Sequence, residues 1–254
     1  MANVLDRYGI KEVADVTFYK IKEDGTPGAP VLYLDTLKVS TIEQTAENTS
    51  ARGGKGNPEL ITWDYGKEIT VVLEDALFSA KSMAIMYGAV TNDGEAIINN
   101  NQTSILKTVN KANVYSKDGN SGKFTTVGGR EIAIPGGAIY YKADGTQGSV
   151  SDFDYVTFDM TIEGSVISIS GGTFPGTYYV TGDTYARSET TGVDEFFQFI
   201  LPKAKVTSEV TLTMEAEGDP STFSMNLRVL RPADGQMMKL VKYSLPDAAS
   251  ASVG

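Results

Sequence analysis

Apolar and polar residues alternate with period two along most of this chain, the spacing of strands with one buried face. Ala14-Asp15-Val16-Thr17-Phe18-Tyr19-Lys20-Ile21 alternates and then stops at Glu23-Asp24-Gly25-Thr26-Pro27-Gly28. A second β-rich run covers 31–39, so the two predict a hairpin closed by a glycine–proline turn. Ile69, Val71 and Leu73 continue the same period further on. Phe196-Phe197-Gln198-Phe199-Ile200-Leu201 is a nearly continuous apolar strand. Residues 210–216 and 223–229 alternate on either side of Gly218-Asp219-Pro220. That last hairpin predicts a dry face of Val210, Leu212, Met214, Phe223, Met225, Leu227 and Val229. Its wet face carries Thr211, Thr213, Glu215, Ser224, Asn226 and Arg228. Sheets with one dry and one wet face are usually antiparallel.

Elsewhere the period breaks. Residues 44–58 are polar and end in Gly53-Gly54-Lys55-Gly56-Asn57-Pro58. This reads as a loop too long for a tight turn, a length at which loops are functional or disordered. One helix is predicted over 79–88, with Ser79 as N-cap and Gly88 as the C′ residue. Phe78 and Met83 stand where a hydrophobic staple forms, and the apolar Met83, Ile85, Met86 and Tyr87 place the helix on a sheet. From 89 to 151 glycine and asparagine become frequent, which predicts an inserted β-meander or elaborated loop region. The expected organisation is therefore 1–88, an elaboration at 89–151, closing strands at 152–246 and a tail at 247–254. The fold class is all-β, mainly an antiparallel sandwich or barrel, with one short α-helix packed on the sheet.

Composition narrows the chemistry. The chain has 254 residues, no cysteine and no histidine. A chain of this size needs no disulfide staples, and the missing residue types remove thiolate and imidazole ligands and the commonest general base. Ser–His and Cys–His nucleophile systems are excluded with them. The net charge of −10 offers nucleic acid no basic footprint on average. No run reaches the about 18 apolar residues of a membrane helix, so no membrane anchor is expected. The first residues have neither a basic nor an apolar leader region, which implies a protein made and held in the cytosol.

Three segments invite a chemical reading. Gly53-Gly54-Lys55-Gly56 resembles a phosphate loop, but Lys55 is followed by glycine, asparagine and proline and then by a strand, so spacing and context both fail. Glu74-Asp75 with Asp152, Asp154 and Asp159 supplies carboxylates for glycoside hydrolysis, yet no spacing brings a pair together, and solvated strand acids are the better reading. The Asp-Gly pairs at 24–25, 93–94, 118–119, 144–145 and 234–235 are ordinary turns rather than calcium loops. No catalytic, cofactor-binding or metal residue is therefore expected. Trp63, the sole tryptophan, and Tyr65 read as core aromatics beside a strand end, with an exposed anchor at a subunit contact as the alternative.

The run from 51 to 88, above all Ile61-Thr62-Trp63-Asp64-Tyr65-Gly66 and Thr70-Val71-Val72-Leu73-Glu74-Asp75-Ala76-Leu77-Phe78-Ser79, resembles the tail tube (major tail) proteins of long-tailed bacteriophages. The hairpin around Met214-Glu215-Ala216-Glu217-Gly218-Asp219-Pro220 is similar to the same family. The resemblance covers about the first 90 and last 60 residues. It implies a non-enzymatic virion structural protein, made in the host cytoplasm, whose subunits form stacked, hexameric rings around a β-barrel lumen. Its implied partners are further copies of itself, the tape measure, terminator and baseplate proteins, and DNA as transient, non-specific cargo. Arg52, Gly53, Gly54, Lys55, Gly56 and Asn57 would then reach the neighbouring ring. Thr211, Thr213, Glu215, Ser224, Asn226 and Arg228 would line the lumen. Other virion positions (terminator, baseplate, capsid decoration) and a carbohydrate-binding β-sandwich remain alternatives. Against the last, Tyr140-Tyr141 and Tyr178-Tyr179 are adjacent pairs, which a strand points to opposite faces.

Overall fold

A computed structural model describes residues 7–92, 94–116, 122–126, 128–207, 209–210, 212 and 222–243. The chain divides into two compact units, Met1–Ile98 with Ile167–Gly254, and Asn99–Val166. All strand pairings are antiparallel, and one short α-helix accompanies them, so the fold is all-β.

The first unit holds β1 (Tyr8–Ile10), β2 (Asp15–Ile21), β3 (Pro27–Leu34), β4 (Leu37–Arg52) and β5 (Glu59–Asp75), followed by α1 (Ala80–Met86). The second unit contributes β6 (Asn99–Asn110), β7 (Val114–Ser116), β8 (Gly122–Thr125), β9 (Glu131–Ala133), β10 (Ile139–Tyr141) and β11 (Tyr155–Val166). The chain then returns to the first unit with β12 (Thr177–Ser188), β13 (Asp194–Val206), β14 (Phe223–Val229) and β15 (Lys239–Tyr243). The first unit's nine strands form one sheet in the order β3-β2-β12-β13-β14-β5-β4, with β1 beside β12 and β15 beside β13. The two ends of this path feed one core: Leu32 and Leu34 of β3 and Leu37 of β4 join Phe18, Leu73, Val180, Leu201 and Leu227. The sheet therefore curls around its apolar face. Tyr178, fully buried, packs edge-on against Phe18 and donates its hydroxyl to the Gly94 carbonyl at 2.8 Å.

The predicted 14–21/31–39 hairpin forms as β2 and β3, and the second run breaks at Asp35-Thr36 before β4 begins. Asp75 explains the corner. Its buried carboxylate accepts from the Thr36 hydroxyl at 2.5 Å and from the Leu77 amide at 3.2 Å, tying the β3–β4 bend to the end of β5. The helix begins as predicted. The Ser79 hydroxyl accepts from the Ser82 amide, the Ser82 side chain answers the Ser79 amide, and Gly88 ends the helix at φ +75°. Ile85 and Met86 bury into the core. Phe78 stays largely exposed and lies against Phe223, with ring centroids 4.6 Å apart.

The second unit is carried by β6 and β11, which pair in unbroken register from Tyr155↔Asn110 to Val166↔Asn99. Its own core is Val109, Phe124, Phe153, Val156 and Phe158. As predicted for adjacent tyrosines, Tyr140 and Tyr141 part company: Tyr140 meets Phe153, while Tyr141 stacks on Tyr155.

Candidate assembly surfaces

The segment 44–58 corrects the sequence reading. It is not a long loop: β4 runs on to Arg52 and pairs with β5 down to Arg52↔Glu59, leaving only 53–58 as a tip. Both faces of the outer ribbon are exposed, so no apolar alternation marks it as a strand. A bulge separates the two halves of β5, where Gly66 and Lys67 together oppose Ala46 between the Thr45↔Glu68 and Glu47↔Tyr65 pairs. Gly66 sits there at φ +63°, a conformation that side-chain-bearing residues rarely adopt. On the core side of the bulge, Ile69, Val71, Leu73 and Asp75 alternate buried with half-buried neighbours. Beyond it every β5 residue is exposed, and the ribbon leaves the core as an arm of roughly 20 Å.

Glycine content at the tip follows from its geometry. Gly54, Gly56 and Asn57 all have positive φ, at 86°, 85° and 50°. The turn closes through the Asn57 amide to the Gly54 carbonyl and the Gly53 amide to the Pro58 carbonyl, both 3.1 Å. The tip is a hydrogen-bonded turn. Behind it, Glu59 accepts from Thr62 at 2.5 Å, Ser50 at 2.7 Å and Arg52 at 3.0 Å. The Thr62 and Ser50 hydroxyls, then the Arg52 guanidinium, hold this carboxyl below the usual range.

Trp63 is also corrected. It is 53% exposed, beside Ile61 at 54%, Tyr65 at 52% and Leu60 at 63%. An arm without a second layer has no core in which to bury an indole. Ile61, Trp63 and Tyr65 share one face by the period of the strand and stand opposite Ala51, Thr49 and Glu47. Ile61, Trp63 and Tyr65, three large apolar side chains on one face of a protruding ribbon, form a stripe of the kind that marks a protein contact. Spacing alone carried part of this signal, since Ile61, Trp63 and Tyr65 alternate; burial did not follow.

A second exposed surface is the wet side of β14. Phe223, Met225, Leu227 and Val229 are buried, while Ser224, Asn226 and Arg228 point the other way, as the alternation predicted. Thr211, Thr213 and Glu215 lie outside the described residues, as does most of 210–216. Val210 packs partly buried on the core and Leu212 is exposed. β14 sits between β13 and β5, so Arg228 faces Lys205 on one side and Thr70 on the other.

The main path of the nine-stranded sheet ends at β3 and β4, each of which pairs on one side only among the described residues. On the outward face of β12 and β13, Tyr185, Phe196 and Tyr243 form a chain of ring contacts, and Asp183 accepts from Gln198 at 2.8 Å and Tyr243 at 3.1 Å. The carboxylates considered for hydrolysis do not act together. Asp75 is a buried corner tie, Asp152 is paired with Lys142, and Asp154 accepts from the Ala143 amide. Among the described residues, no three acidic side chains converge as a metal site.

No curated protein matches this chain. A family model described as the YomU/Tube protein family matches residues 8–242, from β1 into β15. With the match covering well over half of its length, this chain belongs to the YomU/Tube protein family.

Proposed function

We propose that this chain is the self-assembling subunit of a phage tail tube, in which copies form rings, hexameric by the resemblance to tail tube proteins, that stack around a passage for DNA. Family membership supports the coarse statement, a tube-related structural protein of the virion. The observation that carries the finer reading is the β4–β5 arm, a protruding ribbon whose Ile61, Trp63 and Tyr65 remain exposed in the single chain. An apolar stripe on an element with no core of its own is stabilised when another subunit covers it. In this reading the arm, with Arg52, Gly53, Gly54, Lys55, Gly56 and Asn57 at its end, inserts against the next ring. The open edges of β3 and β4 pair with neighbours, which removes the exposed backbone donors and acceptors of a free edge. Ser224, Asn226 and Arg228 belong to the wet face assigned to the lumen, with Thr211, Thr213 and Glu215 as its proposed continuation. Tape measure, terminator and baseplate proteins are the partners at the tube's interior and ends.

Trp63 is the sole tryptophan, so tryptophan emission, excited selectively beyond the tyrosine absorption, reports on the arm alone. Negative-stain electron microscopy across a concentration and salt series, read together with tryptophan emission, tests the proposal. Rings or hollow tubes accompanied by a blue shift of emission are expected. A monodisperse monomer with solvent-exposed emission throughout would count against a tube subunit and toward a decoration module.

A further inference from the structure

We propose that a basic groove at the root of the arm docks an acidic surface of a second copy of this chain; the identity of the partner rests on the tube reading above. The groove has a volume of about 770 Å3 and is bounded by Gly66, Lys67 and Glu68 of β5, Lys205 of β13, Arg228 of β14 and Arg231 just beyond it. Register places Lys205 directly opposite Arg228. Like charges in that position disfavour the isolated sheet. Lys203, exposed on the same strand, adds a further cation nearby. Glu68 answers Arg228 alone, with its Oε1 2.8 Å from the Arg228 Nε. Among the described residues, Lys67, Lys205 and Arg231 have no carboxylate within ion-pair distance. The other acids nearby are not within ion-pair distance of these cations: Glu47 packs against Gly66, Glu43 stands opposite Thr70 one strand further from Arg228, and Asp234 accepts from the Gln236 amide.

This concentration of cations lies on a chain whose net charge is −10, which leaves the remaining surface more acidic still. A second copy therefore presents an excess of the complementary charge elsewhere on its surface. The groove also has an apolar wall, the half-buried Leu230 and Met237. Carboxylate-bearing protein surface satisfies both the charge and the wall. A nucleic acid backbone would satisfy the charge alone, and would do so across a surface that is acidic on average. The position argues the same way, because Gly66 and Lys67 are the bulge from which the arm departs, and a copy engaged by the arm lies beside it.

The experiment compares wild type with the double variant Lys205→Glu/Arg231→Glu, and with Lys205→Gln/Arg231→Gln, by sedimentation velocity and electron microscopy from low salt to about 0.3 M, where the Debye length has shrunk to a few ångströms. Lys205→Glu replaces a like-charge pair with an opposite one, so the melting temperature should hold or rise, separating assembly from folding. The expected result is self-association of wild type that weakens with salt, at least tenfold weaker at low salt in the glutamate variant, with the glutamine variant between. Wild-type tubes with unchanged assembly and salt response in the glutamate variant would overturn the groove proposal and leave the tube reading standing. A wild type that never self-associates would overturn both. Binding of a short DNA duplex that the variant loses, with self-association intact, would overturn it in favour of nucleic acid.

Discussion

Gly182 on β12 lies opposite Phe199 on β13, and a Cβ built at Gly182 would overlap the Phe199 ring. The ring occupies the space that the glycine leaves open, and both residues are buried. Gly182→Ala should therefore cost about 1–3 kcal/mol through overpacking. Thermal unfolding followed by circular dichroism would read this as a lower midpoint; an unchanged midpoint would mean that Phe199 has room to move. Glu59 offers a pH-dependent test. Its folded-state carboxyl titrates below its ordinary value, so its hydrogen bonds to Thr62, Ser50 and Arg52 stabilise the arm above that ordinary value and are lost as pH falls through the depressed one. Glu59→Gln should thus speed exchange of the Gly53 amide at neutral pH, relative to its intrinsic rate. Once pH has fallen below the depressed value and the wild-type carboxyl is itself neutral, variant and wild type should converge. Equal protection at neutral pH would show that the hydroxyl and guanidinium contacts do not order the tip.

At the scale of elements, β5 shows how burial governs what a sequence reveals. From Ile69 to Asp75 every second residue is buried, and the strand is legible as alternation. From Glu59 to Lys67 both faces meet solvent. The outer part of β4 has the same environment, so its polar run carries the pattern of a loop. Residue type favours a core for Trp63, but the arm offers none, and the exposed-anchor alternative is the one its position fits. The helix was legible because its determinants are local: Ser79, Ser82 and Gly88 satisfy its ends without any distant partner. A consequence of the arm's independence can be measured. Replacing 47–65 with a two-residue Asn-Gly turn removes exposed residues, so the core should melt within about 1 kcal/mol of wild type, roughly 2–4 °C. Tube formation should disappear. Tubes assembled from the shortened chain would remove the arm from the assembly mechanism.

For the whole molecule, the second unit begins and ends on register partners, Asn99 opposite Val166, so its two connections enter side by side. Joining 98 to 167 through a short glycine linker should leave the first unit folded, since its core draws no residue from 99–166. We expect the shortened chain still to form tubes, which electron microscopy would check; loss of assembly with an intact core would give the second unit a role in subunit contact. The elaboration read at 89–151 rested on glycine and asparagine frequency, while the compact unit spans Asn99–Val166. The difference lies in β6 and β11, whose polar Asn99-Asn100-Asn101-Gln102 end forms a strand only because β11 pairs with it throughout.

Period-two alternation and local caps thus determined by themselves that the protein is all-β with one short helix, and which side of β14 is dry. Those signals depend on neighbours in sequence and on a single buried face. The tertiary structure alone decided that β14 lies between β13 and β5, that β4 and β5 continue outward as an arm, and that Lys205 meets Arg228. Each of these is a choice of partner between distant segments. Antiparallel register is set by the fit of whole strands across the sheet, and no local period encodes which strand will be the neighbour.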